Sequence, residues 1–463
     1  MKKLTETRPK VTAAILFLGL TVAVSATAAD LNVPADYPTI QAAVNAAQTN
    51  DTIHIAPGVY TGQVVVVHKK LTLAGAPGVV MRAKLGMPAS MAPYDFLTVP
   101  LLGVALSEVT IKGITFEGEH LAGSYSYALT GIIYSGSSGT IEDCSVSGFR
   151  MQSQLTGFNG FGIVAGNNTT LGTGPVAVQI RHSTFQDNDL SILVKGADAA
   201  PSRLLPRLSF TIEGNTITGI GPTTNGAQSA IWIAPGATGE VKSNTITDHV
   251  FIGPAGYSTA GILAADWMWL ILGQTPPAQL LPVTYQGNTF SNNQQHLVTL
   301  FDNGSQIVGN SFAVSRGYRP TGLFVSGQNT LIATNTFSDM STGIILLGDD
   351  PDYPQGAIGI ATNSTLINNR FCTVTNPVVV EPLATNITQQ GTLLCPFPPP
   401  TLAIAPAVLV SWPGVEDGWS VETAISVDGP WAASDATPFM QYGRHSLAVP
   451  TDGVHGFFRL RSP

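Results

Sequence analysis

The chain is 463 residues long, with a formal net charge of -8, 11% charged residues, 48 glycines, 32 prolines and three cysteines. So few lysines and arginines leave no cationic footprint for nucleic acid, and three cysteines exclude a disulfide framework. A surface built from Gly, Asn, Thr and Ser rather than from charges belongs with secreted β-rich folds.

Lys2, Lys3, Arg8 and Lys10 precede an apolar run from Val11 to about Val24, the layout of a secretory signal peptide. Ala26-Thr27-Ala28 and Thr27-Ala28-Ala29 both suit a signal peptidase, so residues 1–29 are read as a signal. The mature chain is then exported to the periplasm, the cell surface or the medium. The apolar run falls short of the ~20 residues a bilayer span needs, and no span is expected after cleavage. Losing four basic residues and Glu6, a net +3, moves the formal charge from -8 to -11.

Residues 37–47, YPTIQAAVNAA, read as a short amphipathic helix with Thr39 at its N-cap. Short β runs follow at Thr52-Ile53-His54-Ile55 and Lys70-Leu71-Thr72-Leu73. From about residue 130 a motif recurs at irregular spacing: a small residue, Asn, Thr or Ser, then an aromatic or branched residue. Copies stand at Gly214-Asn215-Thr216-Ile217, Ser243-Asn244-Thr245-Ile246, Gly287-Asn288-Thr289-Phe290, Gly309-Asn310-Ser311-Phe312, Thr334-Asn335-Thr336-Phe337 and Asn368-Asn369-Arg370-Phe371. Weaker copies are His182-Ser183-Thr184-Phe185 and Asp143-Cys144-Ser145-Val146.

Between the copies lie strands such as Gly131-Ile132-Ile133-Tyr134 and Gly343-Ile344-Ile345-Leu346, with no helical period. Such a unit cannot bury its apolar face alone, so the units stack as coils. The expected fold is all-β: a right-handed parallel β-helix over residues 30–395 with an N-terminal capping helix. Asn at the sharp turn tolerates left-handed backbone and can form a hydrogen-bonded ladder from coil to coil. The residue two positions later points inward.

The stretch YPTIQAAVNAAQTNDTIHIAPGVYTGQVVV, followed by KKLTLAG, resembles the N-terminal cap and first coil of the pectin-lyase-like superfamily, especially its pectin methylesterase and NosD-like branches. With the repeats, the likeness spans about residues 31–395. It implies the fold; the superfamily includes lyases, hydrolases, esterases, epimerases and proteins without known chemistry. In its enzymes catalysis sits on the outer face of a parallel sheet. Taking the Ile of each Gly-Ile pair as inward, the outward column here reads Ile133, Val164, Leu193, Trp232, Leu263, Thr299, Phe324 and Ile345. A second reads Ser135, Gly166, Lys195, Ala234, Ala265, Phe301, Ser326 and Leu347. Neither holds the carboxylate pair that glycosidic cleavage requires, and no polygalacturonase, methylesterase or pectate-lyase signature is present.

The residues that remain as candidates are few. Lys195, Asp302, Asp349 and Asp350 are the weak catalytic candidates. Asp349, Asp350 and Asp352 offer oxygen ligands for calcium, although an acidic Gly/Pro loop is more often a solvated turn. His120, His182, His249 and His296 lack metal-ligand spacing. Trp232, Phe301 and Phe324, with Trp267 and Trp269 from a long insertion, are the aromatic faces on which sugars can stack; the same insertion can instead fold back over them. Cys372 and Cys395 can pair in an oxidising compartment, or stand as two thiols.

Pro396-Phe397-Pro398-Pro399-Pro400 opens a stiff linker over 396–405. Residues 406–463 carry Trp412, Trp419, Trp431 and the run Phe457-Phe458-Arg459-Leu460-Arg461, read as a small β-sandwich. This tail resembles the short modules that end many exported bacterial proteins, which implies sorting or surface attachment; a stability cap is the alternative. Three functions stay open. One is a monomeric exported protein binding carbohydrate or another surface polymer without a recognisable catalytic site. The others are a polysaccharide lyase or esterase with a diverged site, and a structural or adhesive surface protein.

Overall fold

The computed structural model describes residues 28–90, 97–151, 159–167, 174–196, 207–224, 228–252, 259–266, 279–317, 320–348 and 359–395. Beyond these it describes 407–413, 420–434, 439–441, 444–450 and 457–461. Residues 1–27, most of the segment read as a signal, and residues 396–406, which hold the Pro-rich stretch, lie outside the described residues. The chain falls into two compact units, Met1–Cys395 and Pro396–Pro463.

The first unit is a right-handed parallel β-helix. A typical coil runs Ala128–Ser135, Ser138–Glu142, Ser145–Ser147, and each strand pairs in parallel with its counterpart one coil away. The middle strands form a 13-stranded sheet; the long and short strands form a 22-stranded sheet that runs as two columns. The unit thus has a long-strand wall, a middle wall and a short-strand wall around one core.

That core is a set of vertical stacks. Phe290, Phe312, Phe337 and Phe371 lie in register on the short-strand wall, with ring centroids 4.8, 4.9 and 4.9 Å apart and planes within 17° of parallel. The separation is that of adjacent strands, about 4.8 Å, so each ring sits on its equivalent at no cost in register. Burial of each side chain is worth about 1.5–3 kcal/mol.

Asparagines build the corner between the middle and short-strand walls. The Oδ1 of Asn244 accepts from the main-chain N of Asn215, and the same contact recurs from Asn244 to Asn288, Asn310, Asn335 and Asn369 at 2.9–3.0 Å. The expected backbone reason for Asn is corrected, however. The left-handed residue is the one before it: Gly214, Ser243, Gly287, Gly309, Thr334 and Asn368, with φ between 51° and 65°. The asparagine itself is held for its amide: the oxygen accepts from the previous coil, and the nitrogen donates to a carbonyl of the previous coil and to the asparagine oxygen of the next.

The outward residues of the middle wall alternate in charge. Lys112, Glu142, Arg181, Glu213 and Lys242 occupy one column in register. Arg181 meets Glu142 at 3.1 Å and Lys242 meets Glu213 at 3.8 Å.

At the N-terminal end the helix Ile40–Ala46 buries Ile40, Ala43 and Val44. Thr39 caps it by accepting from the N of Ala42. Lys69 donates to the carbonyls of Val44, Asn45 and Ala47, satisfying groups that a helix end leaves unpaired. The sulfurs of Cys372 and Cys395 are bonded, while Cys144 is a buried thiol.

The second unit has two antiparallel sheets of three strands. Trp412, Val421 and Leu447 form its core. Glu422 is bracketed by Arg461 and Arg459, and these hold its carboxyl below the usual range; Arg459 also lies 4.4 Å over the Trp431 ring.

Candidate binding site

The long-strand wall places the expected site residues differently from the alignment of Gly-Ile pairs. Its outward column is Ile133, Val164, Leu193, Trp232, Leu263, Val298, Phe324 and Ile345. Val298 stands where Thr299 was expected, and Thr299 points inward. The reason is local: Gln295 pairs with Ala260 and Leu297 with Ile262, so His296 fills the position that is Gly261 in the neighbouring coil. A slip of one residue exchanges the two faces of a strand.

The column is covered. Trp232 is 1% exposed, with its indole N donating to the carbonyl of Ala265 at 3.1 Å, and Phe324 is 6% exposed. As sugar-stacking faces these two are corrected: a file of outward apolar side chains is favourable in water only beneath a cover, and they pack in two clusters outside the solenoid core. Trp267, Trp269, Asp349, Asp350 and Asp352 lie outside the described residues.

Lys195 and Asp302 do not meet. Lys195 is 4% exposed on the strand Leu190–Lys195, and Asp302 lies on Gln295–Asn303, with two strands between them. Three strand steps separate them by about 14 Å. Asp302 is 1% exposed and accepts from Ser305 Oγ at 2.5 Å and Thr330 Oγ1 at 2.6 Å; burial raises its pKa. It fastens a corner rather than facing a groove.

Phe301 is placed otherwise. The ladder to the next strand shifts between Thr299 and Asp302, which takes Phe301 out of its expected column and leaves Leu300 there. The bulge sets Phe301 at φ 56°, a conformation costing a bulky residue about 1–3 kcal/mol. Its main-chain N donates to Ser326 Oγ at 2.9 Å and its carbonyl accepts from Leu280 at 2.9 Å, which holds the turn. The half-buried ring lines a cleft of about 370 Å³ together with Gln279, Gln328, Thr362, Gly327 and Gly359. A Cβ at Gly359 would stand 3.0 Å from the ring, and one at Gly327 would stand 2.2 Å from the main chain of Asp302. Glycine at both positions lets the walls close on the aromatic face. Bulges of this kind re-aim side chains beside functional sites.

A second set of polar groups, invisible to the repeat, holds the corner between the short-strand and long-strand walls. Asn188 accepts from the N of Phe149, and Asn293 accepts from both the N and Nδ1 of His249 at 3.0 Å. Asn293 in turn reaches His296, whose ring packs tilted against both Phe290 and Phe312 with its centroid 5.9 Å from each. Burial pushes His249 down to about 4 and His296 to about 3. Asp189 accepts from the N of Met151, Asn159 and Gly160, and burial lifts its carboxyl to about 7. The faint signal in sequence is Asp187-Asn188-Asp189 and Asn292-Asn293-Gln294, polar triplets just before apolar strands. Among the described residues no three His, Cys, Asp or Glu side chains group to hold a metal ion, and no helix is long and apolar enough to cross a membrane.

No family model and no curated protein matches the chain. Solved structures do. The mannuronan C-5 epimerase AlgE6 A-module of Azotobacter vinelandii is 14% identical over 77% of this chain and 94% of its own, with a TM-score of 0.45. An alginate lyase from Paenibacillus sp. str. FPU-7 is 13% identical over 79% of this chain and 99% of its own, with a TM-score of 0.40. The Dettilon tailspike protein is 14% identical over 86% and 74%, with a TM-score of 0.43. At these identities the likeness concerns the fold alone.

Proposed function

We propose that this is an exported, monomeric β-helix protein that binds a carbohydrate polymer without cleaving it, through the cleft beside Phe301. The observation that carries the reading is the composition of that cleft. An aromatic face, two side-chain amides (Gln279 and Gln328) and the Thr362 hydroxyl converge at a bulge. A flat apolar face with polar groups at its rim suits a sugar ring, which has the same two kinds of surface. The volume of about 370 Å³ lies within the range of small-ligand sites.

The separation of Lys195 from Asp302 and the apolar outward column of the long-strand wall support binding over cleavage. Export rests on the signal-like segment at residues 1–29.

The test is affinity electrophoresis of the purified protein in gels containing neutral, acidic and basic polysaccharides, with product analysis alongside. Retardation by at least one polymer, reduced about tenfold in affinity by Phe301→Ala, is expected. Full binding by a folded Phe301→Ala variant, or no binding to any polymer, overturns the reading; release of reducing ends or unsaturated products makes the protein an enzyme.

A further inference from the structure

We infer that a second cleft, at the corner between the short-strand and long-strand walls, is a subsite for a protonated amino sugar. This rests on the carbohydrate reading above and names a chemistry for a different part of the polymer. The cleft holds about 440 Å³ and is lined by Gln186, Asp187, Gly219, Ile220, Gly221 and Asp248.

Register makes the cleft. Gln186, Thr218 and Thr247 are partners on successive coils, and the ladder then slips between Thr218 and Gly221, so that Gly219 and Ile220 together stand opposite Asp248 on the coil between the two aspartates. The bulged coil lies between the Asp187 and Asp248 carboxylates, whose backbones stand two strand steps, about 9.6 Å, apart. Close packing requires the glycine at 219: a Cβ there would lie 2.3 Å from the carbonyl of Asp248 and 2.6 Å from Gln228 Oε1. At Gly221, with φ 73°, a Cβ would meet nothing within 4 Å, which marks the open side.

The floor is fixed before any ligand arrives. Buried Gln228 accepts from the N of Ile220 at 2.9 Å and donates to the carbonyl of Gly221 at 3.1 Å. A preorganised floor avoids the ordering cost that weakens recognition by loops.

The charges set the ligand class. Asp187 is balanced by His120 at 2.5 Å and Arg150 at 2.9 Å, whereas Asp248 accepts only from the amide of Asn292 and has no cationic partner among the described residues. An unbalanced carboxylate in a cleft of an acidic chain repels uronates and favours a ligand carrying an ammonium among hydroxyls. Glucosamine units in a glycan have that chemistry; their N-acetylated counterparts have lost the charge.

The experiment compares oligomers of glucosamine and of N-acetylglucosamine by calorimetry with the full chain, at a pH of about 6, below the ~8 of an amine beside electron-withdrawing groups such as an α-amino group. The glucosamine oligomer is expected to bind about tenfold more tightly, and Asp248→Asn to remove that advantage. Asn292, with φ 51°, already occupies the same column on the next coil, so Asp248→Asn is built to fold. Asp339→Asn, in the same column but flanked by Val314 and Thr373, is the control and should leave binding unchanged. Equal affinity for the two oligomers, no binding of either, or the same small effect from both variants overturns the inference. Loss of neutral-glycan binding in Phe301→Ala reports separately on the first cleft.

Discussion

Asn244 Oδ1 accepts from both the main-chain N of Asn215, at 2.9 Å, and its side-chain Nδ2, at 3.0 Å, so one oxygen satisfies two buried donors on the coil before it. Its own Nδ2 donates to the carbonyl of Ile212 at 2.9 Å. The ladder is therefore a chain of shared dependencies rather than a row of separate turns.

Removing one rung should cost more than one hydrogen bond. In Asn244→Ala the main-chain N of Asn215 is left buried without its acceptor, the Asn215 amide keeps only its bond to the Ile180 carbonyl, and the Ile212 carbonyl loses its side-chain donor. We expect a loss of about 3 kcal/mol in urea unfolding, since each orphaned group costs about 1–3 kcal/mol. A loss below about 1 kcal/mol would mean that water replaces the rung.

His249 and His296 make the fold acid-sensitive in a defined window. Their folded pKa values, about 4 and about 3, lie below the ordinary 6.5. The unfolded chain takes up protons that the folded chain refuses, so stability is full above 6.5 and falls as pH drops toward 4. His249→Asn places an amide where Asn188 and Asn293 stand in related coils, and should flatten that slope. Urea midpoints at several pH values decide it; an unchanged slope would place the sensitivity elsewhere.

Asp189 works in the opposite direction. Its folded pKa of about 7 exceeds the ordinary 3.8. The folded state holds the proton that the unfolded state releases, so this contribution is full below 3.8 and declines as pH rises through 7. The slope has an upper bound of about 1.4 kcal/mol per pH unit. Compared with wild type, Asp189→Asn should lose the decline between those limits, which hydrogen exchange at Met151 and Gly160 can read directly.

Thiol labelling separates the three cysteines. Burial pushes Cys144 up to about 12, so the native protein should take up no label at neutral pH. Reduction without denaturant should then expose Cys372 and Cys395 alone. Labelling of Cys144 in the native state would show that the coil around it opens readily.

The fold was legible because its signal repeats. Each Gly or Ser before an Asn, and each Phe or Ile two residues after it, recurs often enough to fix register, and the stacked Phe290, Phe312, Phe337 and Phe371 follow that pattern. What was misread occurs once. His296 occupies a position that is glycine in the neighbouring coil, and this moved Thr299 to the wrong face. The bulge that turns Phe301 out of the ladder has no counterpart from which to learn it. Trp232 was a candidate by its chemistry, but burial depends on what covers an outward face, and no strand pattern encodes that. The cleft beside Asp248 has no counterpart in the repeat, because a bulge between Thr218 and Gly221 shapes it.

The alternating column Lys112, Glu142, Arg181, Glu213 and Lys242 carries a parity. Excising a single coil from this region would seat lysine against arginine, or glutamate against glutamate, and like charges directly opposite are destabilising. Excising two restores the sequence of signs. Along this stretch the solenoid is best shortened or lengthened in pairs, a rule for its evolution and for anyone who would re-engineer its length.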